Sequence, residues 1–381
     1  MEFNFLEPNG DEIQSFIKGL TSQQLGSKVA FHTREDFPDL NKIRIAILGV
    51  YENRGLDGNS INLKNSREAL YSLFPGNWET SIADLGDILA GNSKSDTYFA
   101  LQMVVASLMK RKIIPIVIGG SQDLTYPLYR AYDELEQMVN LVTIDSKFDF
   151  GKESDPIAAS SYLTKIVLDE PNNLFNYSNV GFQTYYNSQE EIDLIEKLFF
   201  DAYRLGDVSN AISIAEPVFR DADIVSLDLT SVKSSDSGNF TNFTPNGFNG
   251  KEICALARYS GLSDKVSLFG IFNHNDSQQE SVLIAQIIWY FIEGFHYRSN
   301  EYPFGSKDNY LKYIIPFEDE HLVFYKSDKT DRWWIEIPFI SASNNKLKKS
   351  TLLPCSYEEY LGACNQQVPE RWWKAQRKNI I

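Results

Sequence analysis

Short apolar runs alternate with amphipathic helical patterns along most of this chain, and this alternation restricts the fold more than any other feature. The runs IRIAILGV, IIPIVIGG and MVNLVTID are almost entirely apolar, which is typical of strands that are buried on both faces. The stretch DTYFALQMVVASLMKRK (96–112) has the length and the charge distribution of a helix. Continuous apolar strands separated by helices predict an α/β fold with a mainly parallel sheet and helices on both faces.

The pattern changes near residue 300. From there the sequence alternates between polar and apolar residues with period two, and turn residues separate the runs. This pattern predicts a small antiparallel β element. The last segment is polar and aromatic, and we expect it to form a helix and an extended tail. The predicted organisation is therefore an α/β domain over 1–300 and a C-terminal β/aromatic extension over 301–381 that packs on it.

Composition and charge exclude several classes of protein. The apolar fraction of 43% supports a substantial core, and the net charge of −15 disfavours nucleic acids and anionic membranes as partners. No apolar run is long enough to span a bilayer, and the N-terminus does not look like a signal peptide. The three cysteines, Cys254, Cys355 and Cys364, lack metal-ligand spacing. We expect them to be reduced thiols in a cytoplasmic protein.

Polar and acidic side chains follow several of the predicted strands. The relevant stretches are 119–123, 145–149 and 228–236. In open α/β sheets, ligands bind beyond the carboxyl ends of the strands. We therefore expect these stretches to line one pocket.

Several strings, taken in their order and spacing, resemble one family: NYSNVGFQTYY, DAYRLG, RDADIVSLDL, PNGFNGKE, IIWYFIEGF and FYKSDKTDRWW. The chain resembles the arginase–agmatinase–formimidoylglutamase family, the ureohydrolases, and is most similar to formimidoylglutamase-like members found in Bacteroidetes. The resemblance implies a three-layer α/β/α arginase-like fold and, commonly, a homo-oligomer. It also implies hydrolysis of a guanidino or formimidoyl group by a hydroxide that two manganese ions share.

The resemblance further implies six metal-ligand positions in the motifs GGSQDLT, DSKFD and SLDLT. The residues at these positions are Gln122, Asp145, Lys147, Asp149, Asp228 and Thr230. Gln122 and Lys147 stand where the family has histidine, and Thr230 stands where it has aspartate. A further family motif, Glu-x-Asn-Pro, aligns with NHND and places Asn273 at the glutamate position. The metal motifs are therefore degenerate, and we expect no bound metal.

Lys147 is the least conservative of these changes, because a charged lysine donates hydrogen bonds and cannot ligate a metal. We interpret Lys147 as the cation that replaces the metal and neutralises the surrounding acids. Two alternatives are a lysine turned towards solvent and a neutral lysine that acts as a base or nucleophile. A further alternative is one manganese or magnesium ion held by Asp145, Asp149 and Asp228, with Gln122.

Two other groups of residues are candidates for function. Asp236 lies in the polar loop 231–247 after the Asp228 strand, which makes it a candidate pocket residue beside Asn273. The echo DRWW and ERWW holds four of the six tryptophans. It either anchors the C-terminal region or docks an unknown protein partner. The candidate docking residues are Arg332, Trp333, Trp334, Arg371, Trp372 and Trp373.

The leading functional prediction is a catalytically degenerate ureohydrolase homologue that acts as a binding, scaffold or regulatory protein. The alternative is an active formimidoylglutamase-like hydrolase that uses one metal ion or an unusual lysine site. A third alternative is a structural subunit of a larger assembly.

Overall fold

The computed structural model describes residues 3–55, 62–135, 137–301, 303, 307–317, 320–337 and 352–378. Within these residues, nine strands form one sheet in which every neighbouring pair is parallel. The strands are β1 (Ala30–Phe31), β2 (Ile45–Val50), β3 (Ile82–Ile88), β4 (Ile114–Gly119), β5 (Val139–Ile144), β6 (Leu174–Phe182), β7 (Asp201–Arg204), β8 (Ile224–Asp228) and β9 (Leu268–Phe272). Their spatial order is β1-β3-β2-β4-β9-β8-β5-β6-β7.

Helices cover both faces of this sheet. The helices of this part are α1 (Asp11–Lys18), α2 (Lys64–Ser72), α3 (Lys94–Lys110), α4 (Thr125–Arg130), α5 (Tyr162–Leu168), α6 (Gln189–Lys197), α7 (Leu205–Asn210), α8 (Glu216–Asp221), α9 (Ser234–Ser237), α10 (Gly250–Leu262) and α11 (Gln278–His296). One apolar core lies between the sheet and α2, α10 and α11, and a second lies between the sheet and α3, α4 and α5. The predicted three-layer α/β/α fold is confirmed.

Strand β5 shows how the sequence produces the two cores. Its six residues are all buried. Val142 and Ile144 point into the first core, and Val139 and Leu141 point into the second, because successive side chains of a strand point to opposite faces. Both faces are therefore mainly apolar, which is why apolar residues occur at both odd and even positions of the run.

A second, antiparallel sheet follows in the described part of the C-terminal region. Its strands, in spatial order, are β10 (Tyr310–Phe317), β11 (Glu320–Ser327), β12 (Trp333–Glu336) and β13 (Leu352–Cys355). Helices α12 (Tyr357–Cys364) and α13 (Glu370–Lys378) complete it. The predicted antiparallel element is confirmed, whereas the domain boundary near residue 300 stays a prediction. No helix of the described residues is long and apolar enough to cross a membrane.

Candidate functional site

Four neighbouring strands of the parallel sheet, β4, β9, β8 and β5, end at the same edge. Gln122 follows β4, Asn273 follows β9 and Asp145 follows β5, while Asp228 is the last residue of β8. The site is therefore assembled by sheet topology from residues that are up to 151 positions apart.

Asp145 is buried without a direct counter-ion in the described part of the chain. Its side chain is 1% exposed, and its Oδ1 accepts a hydrogen bond from the backbone N–H of Lys147 at 2.9 Å. Its Oδ2 has no hydrogen-bond partner among the described residues. Burial raises the pKa of Asp145 well above its usual range, and the nearby carboxylates of Asp149 and Asp228 raise it further.

Asp149 and Asp228 are similarly enclosed. Burial raises the pKa of Asp149 to about 7, and the charge of Asp228 adds to this effect. Burial also raises the pKa of Asp228, although two hydrogen bonds from Thr230 oppose that change. Burial therefore favours the protonated form of each of the three acids.

Thr230 is bound to Asp228. Its backbone N–H donates to Asp228 Oδ1 and its hydroxyl donates to Asp228 Oδ2, both at 2.7 Å. The Thr230 side chain thus acts as a donor to the acid that remains. It does not supply the negatively charged carboxylate of the aspartate that the resemblance implies at this position.

Gln122 and Asn273 contact each other and lie close to the acids. The backbone N–H of Gln122 donates to Asn273 Oδ1 at 3.0 Å, and Asn273 also lowers the pKa of Asp228. The Gln122 amide is close enough to Asp145 to lower that pKa. Its side chain is nevertheless fully buried, and neither Nε2 nor Oε1 has a partner of normal hydrogen-bond geometry in the described residues.

Lys147 does not enter the cluster, which corrects the prediction that it replaces the metal as the central cation. Its side chain is exposed, and its Nζ lies 5.8 Å from the centre of the Tyr186 ring. No ion pair joins it to Asp145, Asp149 or Asp228 in the described structure. Lys147 lowers the pKa of Asp149 and Asp228 only from a distance. Of the interpretations considered, the solvent-facing lysine matches the structure.

The sequence does not identify two buried polar residues that lie close to the acids. Tyr162 is fully buried, its hydroxyl has no partner among the described residues, and the charges of Asp149 and Asp145 add to the effect of burial in raising its pKa. Asn179 Nδ2 donates to the Lys147 carbonyl at 2.7 Å, while its Oδ1 is unpartnered in the same part of the chain. Asn179 belongs to the string NYSNVGFQTYY, but neither the string nor the surroundings of Tyr162 indicates that these side chains lie near the acids.

The sequence profile of the arginase family matches residues 58–269, more than half of the chain. The chain belongs to the arginase family. The comparison with curated proteins finds no significant match.

Solved structures of arginase-family enzymes share the fold. Formiminoglutamase of Trypanosoma cruzi, in a structure with Mn²⁺, is 18% identical, and the similarity covers 72% of this chain and 99% of that one with a TM-score of 0.62. Formimidoylglutamase of Bacillus subtilis is 15% identical over 76% of this chain and all of that one, with a TM-score of 0.61. Agmatine ureohydrolase of Thermoplasma volcanium is 17% identical over 75% and 97%, with a TM-score of 0.57.

The residues of this arginase-family member do not fit a two-manganese centre. Lys147 cannot ligate a cation while it is charged, and the Thr230 hydroxyl proton is directed at Asp228. In the described residues, no three His, Cys, Asp or Glu side chains form a group that could hold a metal ion. Three carboxylates and one neutral amide supply less charge and fewer ligands than two divalent ions require.

Asp236 lies outside the acid cluster, in contrast to the prediction that it lines the pocket. Its Oδ2 accepts the backbone N–H of Gly250 at 2.8 Å, and its Oδ1 accepts the hydroxyl of Ser235 at 2.7 Å. Gly250 is the first residue of α10. Asp236 thus satisfies a free N–H group and places a negative charge at the positive end of a helix, which is a structural role.

Most of the predicted docking residues are core anchors. Trp333, Trp334 and Trp372 are 7%, 1% and 5% exposed. Arg371 is also buried and donates to the Pro354 carbonyl at 2.8 Å. These side chains are unavailable to a partner because they already form the core of the extension or hold its strands in place.

The remaining two docking candidates also make intramolecular contacts. Arg332 Nε lies 3.5 Å from Oε1 of Glu216 in α8, and Arg332 Nη1 lies 3.6 Å from Glu301 Oε1. Trp373 is 41% exposed and packs edge-on against Phe199. The six residues therefore do not form one exposed surface, and the alternative that they anchor the C-terminal region fits most of them; Trp373 is the one exposed tryptophan among them.

Proposed function

We propose that this arginase-family member does not carry out two-manganese hydrolysis and acts in the cytoplasm as a binding, scaffold or regulatory protein. The engagement of Thr230 carries the proposal. Its backbone N–H and its hydroxyl both donate to Asp228, so the position that would complete the second metal's ligands stabilises an acid instead. The exposed ammonium of Lys147 supports the same conclusion, because its positive charge acts on Asp149 and Asp228 and would repel a metal ion beside them.

The acid cluster suits a small cationic group, such as the amidinium or ammonium of an amino-acid-like ligand. Such a group could donate to Asp145 Oδ2 and Gln122 Oε1, both of which lack partners in the described residues. Charge-assisted hydrogen bonds of this kind are stronger than neutral ones. A cationic ligand would also compensate Asp149 and Asp228 without a metal.

Metal retention tests the proposal. The wild-type protein is incubated with excess manganese and desalted, and its metal content is measured by mass spectrometry. We expect no retained manganese. The matched control is the triple variant Gln122→His, Lys147→His, Thr230→Asp, which restores the ligand types of the family and should retain the metal. Stoichiometric manganese in the wild-type protein would refute the proposal.

A second candidate function is a hydrolase with one ion. The observation that favours it is the same pair of unpartnered oxygens, Asp145 Oδ2 and Gln122 Oε1, beside Asp149 and Asp228. Oxygen ligands of this type suit magnesium or manganese, and the bound ion would activate a water molecule. This function requires formimidoylglutamate hydrolysis that Asp149→Asn abolishes while the circular dichroism spectrum stays unchanged.

Self-association and an unidentified protein partner remain parts of the proposal. Light scattering at several protein concentrations would measure self-association, since the resemblance implies a homo-oligomer. Affinity capture would detect a protein partner. Trp373→Ala is the comparison variant, because that tryptophan is exposed.

A further inference from the structure

A crevice of about 540 Å³ lies at the opposite edge of the parallel sheet from the acid cluster. It is formed where strands begin: Arg44 precedes β2, Ile113 precedes β4, and Val266 and Ser267 precede β9. Strands β4 and β9 thus run between the two sites. The crevice shares no residue with the acid cluster.

The lining of this crevice is basic although the whole chain carries a net charge of −15. Arg44, Lys112 and Arg298 line it, and none of them forms an ion pair with another described residue. Arg44 and Lys112 are exposed. A fourth basic residue, Lys265, is engaged elsewhere, since its Nζ lies 2.7 Å from Asp221 Oδ1.

The acids of the crevice do not neutralise these groups directly. Asp264 is the nearer one, and its carboxylate accepts the backbone N–H groups of Asn300 and Glu301, both at 3.0 Å. Glu79 is exposed and forms no ion pair in the described structure. The crevice therefore retains an excess of positive charge.

Arg298 is held in place at the wall of the crevice. Its Nε and Nη2 donate to the carbonyls of Gly261 and Val266 at 2.9 and 2.8 Å, and its guanidinium lies 4.7 Å from the centre of the Phe295 ring. Burial lowers its pKa to about 10, the charge of Asp264 opposes this change, and the charge of Arg44 adds a smaller effect in the direction of burial. Two guanidinium groups, one exposed and one partly buried, thus line the same crevice.

We propose that this crevice binds a small organic anion that carries a phosphate or carboxylate group. The planar guanidinium of Arg44 presents donors that match the oxygens of both groups, and Arg298 adds Nη1, which its two carbonyl contacts leave available. Lys112 adds a third positive charge. Met109 and Phe295 supply apolar walls for the organic part of the ligand.

Calorimetric titration tests this proposal on the full chain, with inorganic phosphate and succinate as probes and sodium chloride at equal ionic strength as the reference. Arg44→Gln removes an exposed charge whose side chain makes no hydrogen bond in the described structure, so the fold should be kept. Arg34→Gln is the matched control, because its side chain is 73% exposed and lies outside the crevice. We expect Arg44→Gln to weaken binding roughly tenfold or more, and Arg34→Gln to leave it unchanged.

The two probes separate the sources of the anion. Tighter binding of phosphate assigns a phosphate-bearing ligand, and tighter binding of succinate assigns a carboxylate-bearing one. Lys112→Gln provides an independent variant and should also weaken binding. The proposal is overturned if neither probe binds beyond the chloride reference, or if Arg44→Gln and Arg34→Gln bind equally well.

Discussion

Asp84 in β3 and Asp145 after β5 are both almost completely buried in the same parallel sheet, with exposures of 0% and 1%. Both carboxylate oxygens of Asp84 accept hydrogen bonds. It accepts hydrogen bonds from Arg67 Nε at 2.8 Å, from the Gly86 backbone N–H at 2.9 Å and from the Tyr71 hydroxyl. Its charge is compensated by a guanidinium that is itself buried.

Asp145 has the same burial without this compensation. Its nearest cationic side chain in sequence, Lys147, is exposed, and its Oδ2 is unpartnered among the described residues. Complete polar networks stabilise a fold, whereas incomplete ones are retained where a ligand or a proton completes them. The difference indicates that the Asp84 network is structural, and it supports the proposal that the Asp145 cluster binds a ligand.

Arg67→Met should have the largest effect, because it leaves Asp84 buried without its cation. We expect a loss of about 3–5 kcal/mol in the free energy of unfolding, measured by urea denaturation. Arg34→Met is the control and should change stability by less than about 1 kcal/mol, since its ion pair with Asp11 is exposed. Equal effects of the two variants would remove the distinction between the two regions.

Glu280 extends the comparison, because it is a fully buried acid that accepts hydrogen bonds from the backbone and side chain of Asn275. Burial raises its pKa to about 8, whereas an unfolded glutamate has a pKa of about 4.3. Between these values the native state binds more protons than the unfolded state. Stability therefore decreases as pH rises through this window.

Glu280→Gln isolates this contribution. From about pH 6.5 to pH 8, the wild-type protein should lose about 1–2 kcal/mol of unfolding free energy relative to the variant. Urea denaturation at both pH values measures the difference. His274 lies 3.9 Å from Glu280, but burial lowers its pKa to about 4, so it does not titrate in this range. Parallel pH profiles of the two proteins would contradict the raised pKa.

Lys147→Met should have the smallest effect. An exposed ammonium near the Tyr186 ring contributes at most about 1 kcal/mol. Urea denaturation measures the change in the free energy of unfolding. A loss of about 3–5 kcal/mol would instead show that Lys147 compensates the acids, as the sequence predicts, and that the two regions are alike.

The sequence predicts the sheet well because its strands are buried on both faces. The run IIPIVIGG contains β4 and MVNLVTID contains β5, each with at most two extra residues at an end. Strand β7 is missed, since its four residues, Asp201 to Arg204, are mostly polar at the edge of the sheet. Such a segment acquires its conformation from pairing with β6, which no local pattern reveals.

The site is predictable only in part. Strand order brings Gln122, Asp145 and Asp228 together, and the sequence predicts this because the carboxyl ends of parallel strands share an edge. The direction of the Lys147 side chain depends on its rotamer and on Tyr186, which lies 39 positions away. The burial of Trp334 likewise depends on packing across the C-terminal sheet.

Each changed ligand position lies just beyond the last residue of its strand: Gln122 after Gly119, Lys147 after Ile144 and Thr230 after Asp228. These side chains take no part in the hydrogen-bonded ladder that holds the sheet. Substitutions there change the chemistry of the site without removing a hydrogen bond of that ladder. The order of the strands and the charge of the site are therefore set by separate groups of residues, so one can vary while the other is kept.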